Sequence, residues 1–116
     1  MARLSAKLRS IEGGRLGYWC QGCESIHEVR VSQMGAVPPG PIWTWDGNVD
    51  APTLSPSVLV TYSGKDAGED DAPPERCHTF IRAGMVQFLG DCTHALAGQT
   101  LPLPDWPYAE GEYGGI

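Results

Sequence analysis

The chain has 116 residues, which is enough for one domain and too few for two ordinary ones. Its 14 acidic and 8 basic residues give a net charge of −6, so it lacks the clustered positive charge with which proteins bind nucleic-acid phosphates. The sequence contains no run of about 18 apolar residues, so it does not predict a membrane-spanning helix. No apolar segment follows the basic N-terminal residues, as it would in a secretory signal. We therefore expect a cytoplasmic protein with neither a membrane nor a nucleic acid as its partner.

The 15 glycines and 10 prolines interrupt the apolar runs throughout the sequence, and such frequent interruption disfavours long regular elements. Residues 1–14 are predicted to form a polar, basic arm, and residues 102–116 a tail rich in proline, glycine and aromatic residues. Residues 15–101 between them form the predicted core. The sequence predicts a single, mainly β domain: a small antiparallel β fold with a zinc knuckle and little helix.

Alternation of apolar and polar residues predicts most of the strands, which in chain order are Leu16–Trp19, His27–Val31, Ile42–Trp45, Val58–Tyr62, Cys77–Arg82 and Met85–Leu89. The last two strands are predicted to form a hairpin around a two-residue turn at Ala83 and Gly84. The acidic segment Ser63–Glu75 is predicted to be a solvated loop. One helical turn closed by Gly98 is expected over Thr93–Gly98.

Cysteine spacing is the strongest chemical signal in the sequence. Cys20 and Cys23 form a C-x-x-C pair, half of many zinc sites, and Gly22 eases the tight turn between them. The other ligands must come from later in the chain, where cysteine and histidine recur at Cys77, His78, Cys92 and His94. His27, at the start of a predicted strand, is interpreted as a surface residue and kept in reserve as a ligand.

The predicted hairpin decides between these later residues. With a turn at Ala83 and Gly84, Cys77 and Cys92 share one face of the hairpin, and His78 points to the other. We therefore predict one structural Zn²⁺ per chain, bound by Cys20, Cys23, Cys77 and Cys92. In a second version, His94 replaces one of the last two cysteines. Free thiols and disulfides are the alternatives, and a reducing compartment disfavours disulfides.

Several stretches of the sequence together resemble a family of small proteins from tailed phages and prophages, whose members often carry the automatic label "ammonia monooxygenase". The matching stretches are Tyr18–Cys23, Trp43–Asn48, Ala51–Ser57, Cys77–Ile81, Phe88–Gln99 and Leu103–Trp106. The resemblance implies a phage origin and a shared zinc-like site. It does not imply ammonia oxidation, which is the chemistry of a membrane-bound copper enzyme.

Two functions fit these features. The first is a zinc-stabilised module that binds a protein partner, as a component of the phage virion or as a binder of a host factor. Trp43, Trp45 and Trp106 are its candidate exposed anchors, although the small size of the domain favours a core position for these rings. Its location would be the host cytoplasm or the virion. The alternative is a zinc-dependent, hydrolase-like enzyme. In that enzyme, His78, Asp91 and His94 would form an acid–base group beside Ser55, Ser57 or Thr53.

Overall fold

A computed structural model describes residues 1–62 and 75–108 of the chain. The predicted acidic loop, except for Glu75, and the end of the predicted tail lie outside the described residues. The strands are β1 (Ala2–Arg3), β2 (Leu8–Ile11), β3 (Arg15–Cys20), β4 (Ser25–Arg30), β5 (Thr44–Trp45), β6 (Leu54–Ser55), β7 (Val58–Tyr62), β8 (Glu75–Arg82), β9 (Met85–Phe88) and β10 (Thr100–Pro102). A short 3-10 helix covers Ser32–Met34.

The strands form three antiparallel sheets, which confirms the predicted mainly β fold with little helix. The first sheet has four strands in the order β1-β2-β3-β4. The second also has four, in the order β10-β9-β8-β7, and β5 and β6 pair as a small third sheet. Neighbouring strands in the first sheet follow one another directly along the chain, so most of its pairing is local. Residues of the predicted N-terminal arm supply β1 and β2.

The hairpin of β8 and β9 has the predicted register. Arg82 pairs with Met85, so Ala83 and Gly84 form a two-residue turn. Both turn residues have positive φ, 49° and 76°, as such a hairpin turn requires. The predicted helical turn over Thr93–Gly98 is wrong: this stretch is a series of turns. Its backbone bonds outward to the second sheet, for example from the amide of Thr93 to the carbonyl of Arg76 at 2.9 Å.

The two larger sheets bury their apolar faces in one shared core. Its most buried members come from both sheets and from the chain after β10, and include Leu8, Leu16, Val29, Ile81, Phe88 and Leu103. Trp45 and Trp106 are only 9 % and 7 % exposed. These two rings therefore take the core position that the small size of the domain favours, and the alternative that they are exposed anchors is wrong. In the part of the chain that the structure describes, no helix has the length and apolarity that crossing a membrane requires.

Candidate active site and metal centre

Strand β8 presents adjacent residues to two different environments. Cys77 and Thr79 are each 1 % exposed and face the core. Arg76, His78 and Phe80 alternate with them and lie on the more accessible face, since successive side chains of a strand point to opposite sides of the sheet. Strand β8 therefore contributes residues to two candidate sites, one on each of its faces.

On the accessible face, three side chains form a hydrogen-bonded chain. The Oγ of Ser57 lies 3.0 Å from Nε2 of His78, and the Nδ1 of His78 lies 3.2 Å from Oδ2 of Asp91. A hydroxyl on one ring nitrogen and a carboxylate on the other is the arrangement in which a histidine activates a serine nucleophile. These contacts identify a candidate Ser–His–Asp triad.

Each member of this triad has a further contact with a neighbouring residue. Ser57 directly precedes β7, which pairs with β8, and the indole of Trp43 donates a hydrogen bond to its carbonyl oxygen at 3.2 Å. The carbonyl of His78 accepts a hydrogen bond from the amide of Leu89 at 2.9 Å. A guanidinium nitrogen of Arg76 is 3.8 Å from Asp91. Ser57 thus lies just before β7, His78 within β8, and Asp91 shortly after β9.

The sequence analysis proposed His78, Asp91 and His94 as an acid–base group, and the structure brings the first two together. His94 lies elsewhere, with its Nε2 3.3 Å from the sulfur of Cys77. Of the three hydroxyl residues considered, Ser57 contacts His78, whereas the hydroxyl of Thr53 accepts a hydrogen bond from the amide of Ala83. The sequence could not select Ser57, because the choice depends on how β7 and β8 pair.

On the core face, three cysteines and a histidine converge. The ligand atoms of Cys20, Cys23, Cys77 and His27 all lie within 4.8 Å of one another, so this thiol cluster could hold a metal ion. The sulfurs of Cys20 and Cys77 are 3.8 Å apart. Hydrogen bonds with Cys23 and Cys77 hold the pKa of the Cys20 thiol well below its usual range, and a thiolate is the form that binds metals.

A second group, Cys77, Cys92 and His94, lies beside the thiol cluster and shares one cysteine with it. Gly22 of the C-x-x-C pair packs against the ring of His94, where an added Cβ would come within 2.4 Å of a ring carbon. A glycine at this position therefore allows the imidazole ring to pack closely against the backbone.

The structure places the four predicted cysteine ligands in two groups that meet at Cys77. Cys20 and Cys23 lie in the thiol cluster, and Cys92 lies with His94. The interpretation of His27 as a surface residue is wrong, because it is 2 % exposed and belongs to the thiol cluster. It reaches the core because it lies on β4 beside β3, where its ring contacts that of Tyr18 with a centroid separation of 5.6 Å.

Comparison with known proteins adds one finding. No curated protein and no solved structure matches the chain. Residues 3–89 match the family described as the bacterial ubiquitination-like system serine protease. The matched range contains Ser57, His78 and the cysteines of the thiol cluster, and it ends just before Asp91. Because the match covers most of the sequence, the chain belongs to the BubE family.

Proposed function

We propose that this chain is a serine protease of a bacterial ubiquitination-like system, with Ser57 as nucleophile, His78 as general base and Asp91 as the carboxylate that orients His78. The observation that carries the proposal is the 3.0 Å contact between Oγ of Ser57 and Nε2 of His78. The family description supports it independently, since it names a serine protease.

The geometry assigns a role to each atom of the triad. Nε2 of His78 accepts the proton of the Ser57 hydroxyl as Oγ attacks the carbonyl carbon of a peptide bond, and then gives that proton to the departing amine. Asp91 accepts a hydrogen bond from Nδ1, which keeps Nε2 free to act as the base and stabilises the charged imidazolium. Water then takes the place of the amine. His78 accepts a proton from the water as it attacks the acyl carbon, and gives that proton to Oγ of Ser57 as the acyl group leaves.

The surroundings of the triad suit a polypeptide substrate. The side chains of His78 and Asp91 are 26 % and 41 % exposed, so a substrate reaches them without opening the core. Leu59 pairs with His78 in the β7–β8 ladder and is 54 % exposed. This apolar side chain beside the base offers a contact for a substrate side chain. The protein partner expected from the sequence is then the substrate, while a phage origin and a place in the virion stay predictions.

We further propose that the thiol cluster holds one structural Zn²⁺. Thiolate and imidazole ligands suit zinc, and a set of four protein ligands leaves no open position for a water molecule. The metal would stabilise the junction of β3, β4 and β8, and the chemistry would belong to Ser57. This division of roles differs from a zinc-dependent hydrolase, in which the metal itself activates water.

Labelling with a fluorophosphonate probe tests the protease proposal without a known substrate. The probe should form a covalent adduct that mass spectrometry maps to Ser57, and Ser57→Ala should abolish labelling because it removes the oxygen that attacks the probe. Ser55→Ala is the matched control, because that hydroxyl lies two residues away and should leave labelling unchanged. An adduct on another residue, or equal labelling of the Ser57→Ala protein, would refute the proposal.

A further inference from the structure

His27 is a buried polar side chain at the thiol cluster whose ring nitrogens have no hydrogen-bond partner among the described residues. It is 2 % exposed. A buried polar group without a partner is costly, and native proteins seldom keep one. One of its nitrogens lies within 4.8 Å of the sulfurs of Cys20, Cys23 and Cys77. A metal bound to that nitrogen would supply the missing partner.

His94 is the competing histidine, and its hydrogen bonds assign it a different role. The amide of Leu96 donates to Nδ1 of His94 at 3.2 Å, which leaves the ring proton on Nε2. Nε2 is the nitrogen that lies 3.3 Å from the sulfur of Cys77. A nitrogen that carries a proton donates a hydrogen bond and has no lone pair for a metal. His94 is therefore a hydrogen-bond donor to a ligand sulfur, as outer partners of metal sites commonly are.

Cys92 is engaged with the backbone of the catalytic histidine. Its sulfur accepts a hydrogen bond from the amide of His78 at 3.2 Å and donates one to the carbonyl of His78 at 3.3 Å. A thiolate bound to a metal has no proton to donate. Both contacts go to the backbone of His78, so the side chain of Cys92 is placed to hold that residue between Ser57 and Asp91.

From these contacts we infer that Zn²⁺ is bound by Cys20, Cys23, Cys77 and His27, with His94 as hydrogen-bond donor to Cys77 and Cys92 as a positioning residue for His78. The zinc assignment rests on the proposal that the thiol cluster binds zinc, and the role of Cys92 rests on the protease proposal. The zinc assignment replaces the predicted four-cysteine site with one of three cysteines and a histidine that sequence reasoning placed on the surface.

Zinc affinity, measured by competition with a chelator, separates the two histidines. His94→Phe should weaken Zn²⁺ binding by no more than about 10- to 100-fold, the effect of losing an outer partner. His27→Phe should weaken it further, because a ligand itself is removed. Equal affinity of His27→Phe and the unmodified chain, or complete loss of zinc in His94→Phe, would overturn the assignment.

A second measurement does not depend on folding of the His27 variant. In full-length protein with isotopically labelled histidine, NMR should show one ring with a metal-bound nitrogen. That signal should persist in His94→Phe and in His78→Phe, which leaves His27 as its source. Its disappearance in His94→Phe would overturn the assignment.

Substitution of Cys92 tests the remaining part of the inference. Cys92→Ser should keep zinc content at one ion per chain and keep fluorophosphonate labelling, since a hydroxyl can both donate and accept. Cys92→Ala should also keep zinc but lower the labelling rate, and the recovery in the serine variant identifies a positioning role. Loss of zinc in both variants would show that Cys92 is a ligand.

Discussion

The thiol cluster and the triad each include a residue of β8, yet they differ in solvent exposure and in the chemical groups that surround that residue. Cys77 is 1 % exposed and faces other sulfurs in the core. His78, the next residue, has a side chain that is 26 % exposed and faces a hydroxyl and a carboxylate. A closed, buried site suits a metal that holds the fold, and an accessible one suits a reaction with a large substrate. If both proposals hold, a single step along β8 separates the residue that stabilises the fold from the residue that takes part in the reaction.

The segment after β9 repeats the same division. Two of its residues reach the two sites: Asp91 contacts His78, and His94 contacts Cys77. Between them, Thr93 fixes the segment to β8: its amide donates to the carbonyl of Arg76, and its hydroxyl accepts from the amide of Arg76. Each site therefore has one residue on β8 that a side chain of this segment contacts. We expect damage to the thiol cluster to reach the triad, and damage to the triad to remain local.

Removal of the metal should produce the largest effect. Chelation should abolish cooperative unfolding, because zinc contributes on the order of 10 kcal/mol to small zinc domains and the cysteines of this cluster line the core. Added Zn²⁺ should restore the transition, and added Mg²⁺, which prefers oxygen ligands, should not. Thermal melts followed by circular dichroism measure the effect. An unchanged melt at full depletion of the metal would separate the thiol cluster from fold stability.

Loss of the triad carboxylate should affect activity alone. Asp91→Asn should lower the rate of fluorophosphonate labelling about 10⁴-fold, because the neutral amide no longer selects the required tautomer of His78. The free energy of unfolding should change by no more than about 0.5 kcal/mol, as is usual for exposed positions. Asp105→Asn, at a more exposed carboxylate (71 %) paired with Lys7, is the control. A large loss of stability in Asp91→Asn would mean that the two sites cannot be separated in this direction.

The smallest effect is expected at Arg76, which approaches Asp91 from the solvent side. Its guanidinium is 3.8 Å from the carboxylate, and the two side chains are 49 % and 41 % exposed. Such an ion pair contributes at most about 1 kcal/mol, so Arg76→Gln should change the labelling rate less than about tenfold. The change should shrink further at high salt, because mobile ions screen exposed charges. A loss as large as that of Asp91→Asn would instead make Arg76 part of the catalytic group.

Local pattern predicted six of the ten strands among the described residues, β3, β4, β5, β7, β8 and β9, but not β1, β2, β6 or β10. Long-range pairing decided the sites. The hairpin turn at Ala83 and Gly84 follows from nearby residues, and so does the separation of Cys77 from His78 onto opposite faces. The choice of Ser57 depends on the pairing of β7 with β8 across residues 63–74, and no short-range signal encodes that pairing. The burial of His27 likewise depends on the second sheet covering the first. Sequence reasoning therefore found the residues that carry the chemistry, but it did not assign all of them to the site where the structure places them.

The alternation of β8 also limits how the length of this chain can change. Insertion or deletion of one residue within a strand moves every following side chain to the opposite face of the sheet. Such a change before Cys77 would place its sulfur in solvent and push the imidazole of His78 into the core. Substitutions along β8 act on one site at a time, whereas a change of length damages both together. We therefore expect related chains to keep this cysteine and this histidine as adjacent residues of the strand.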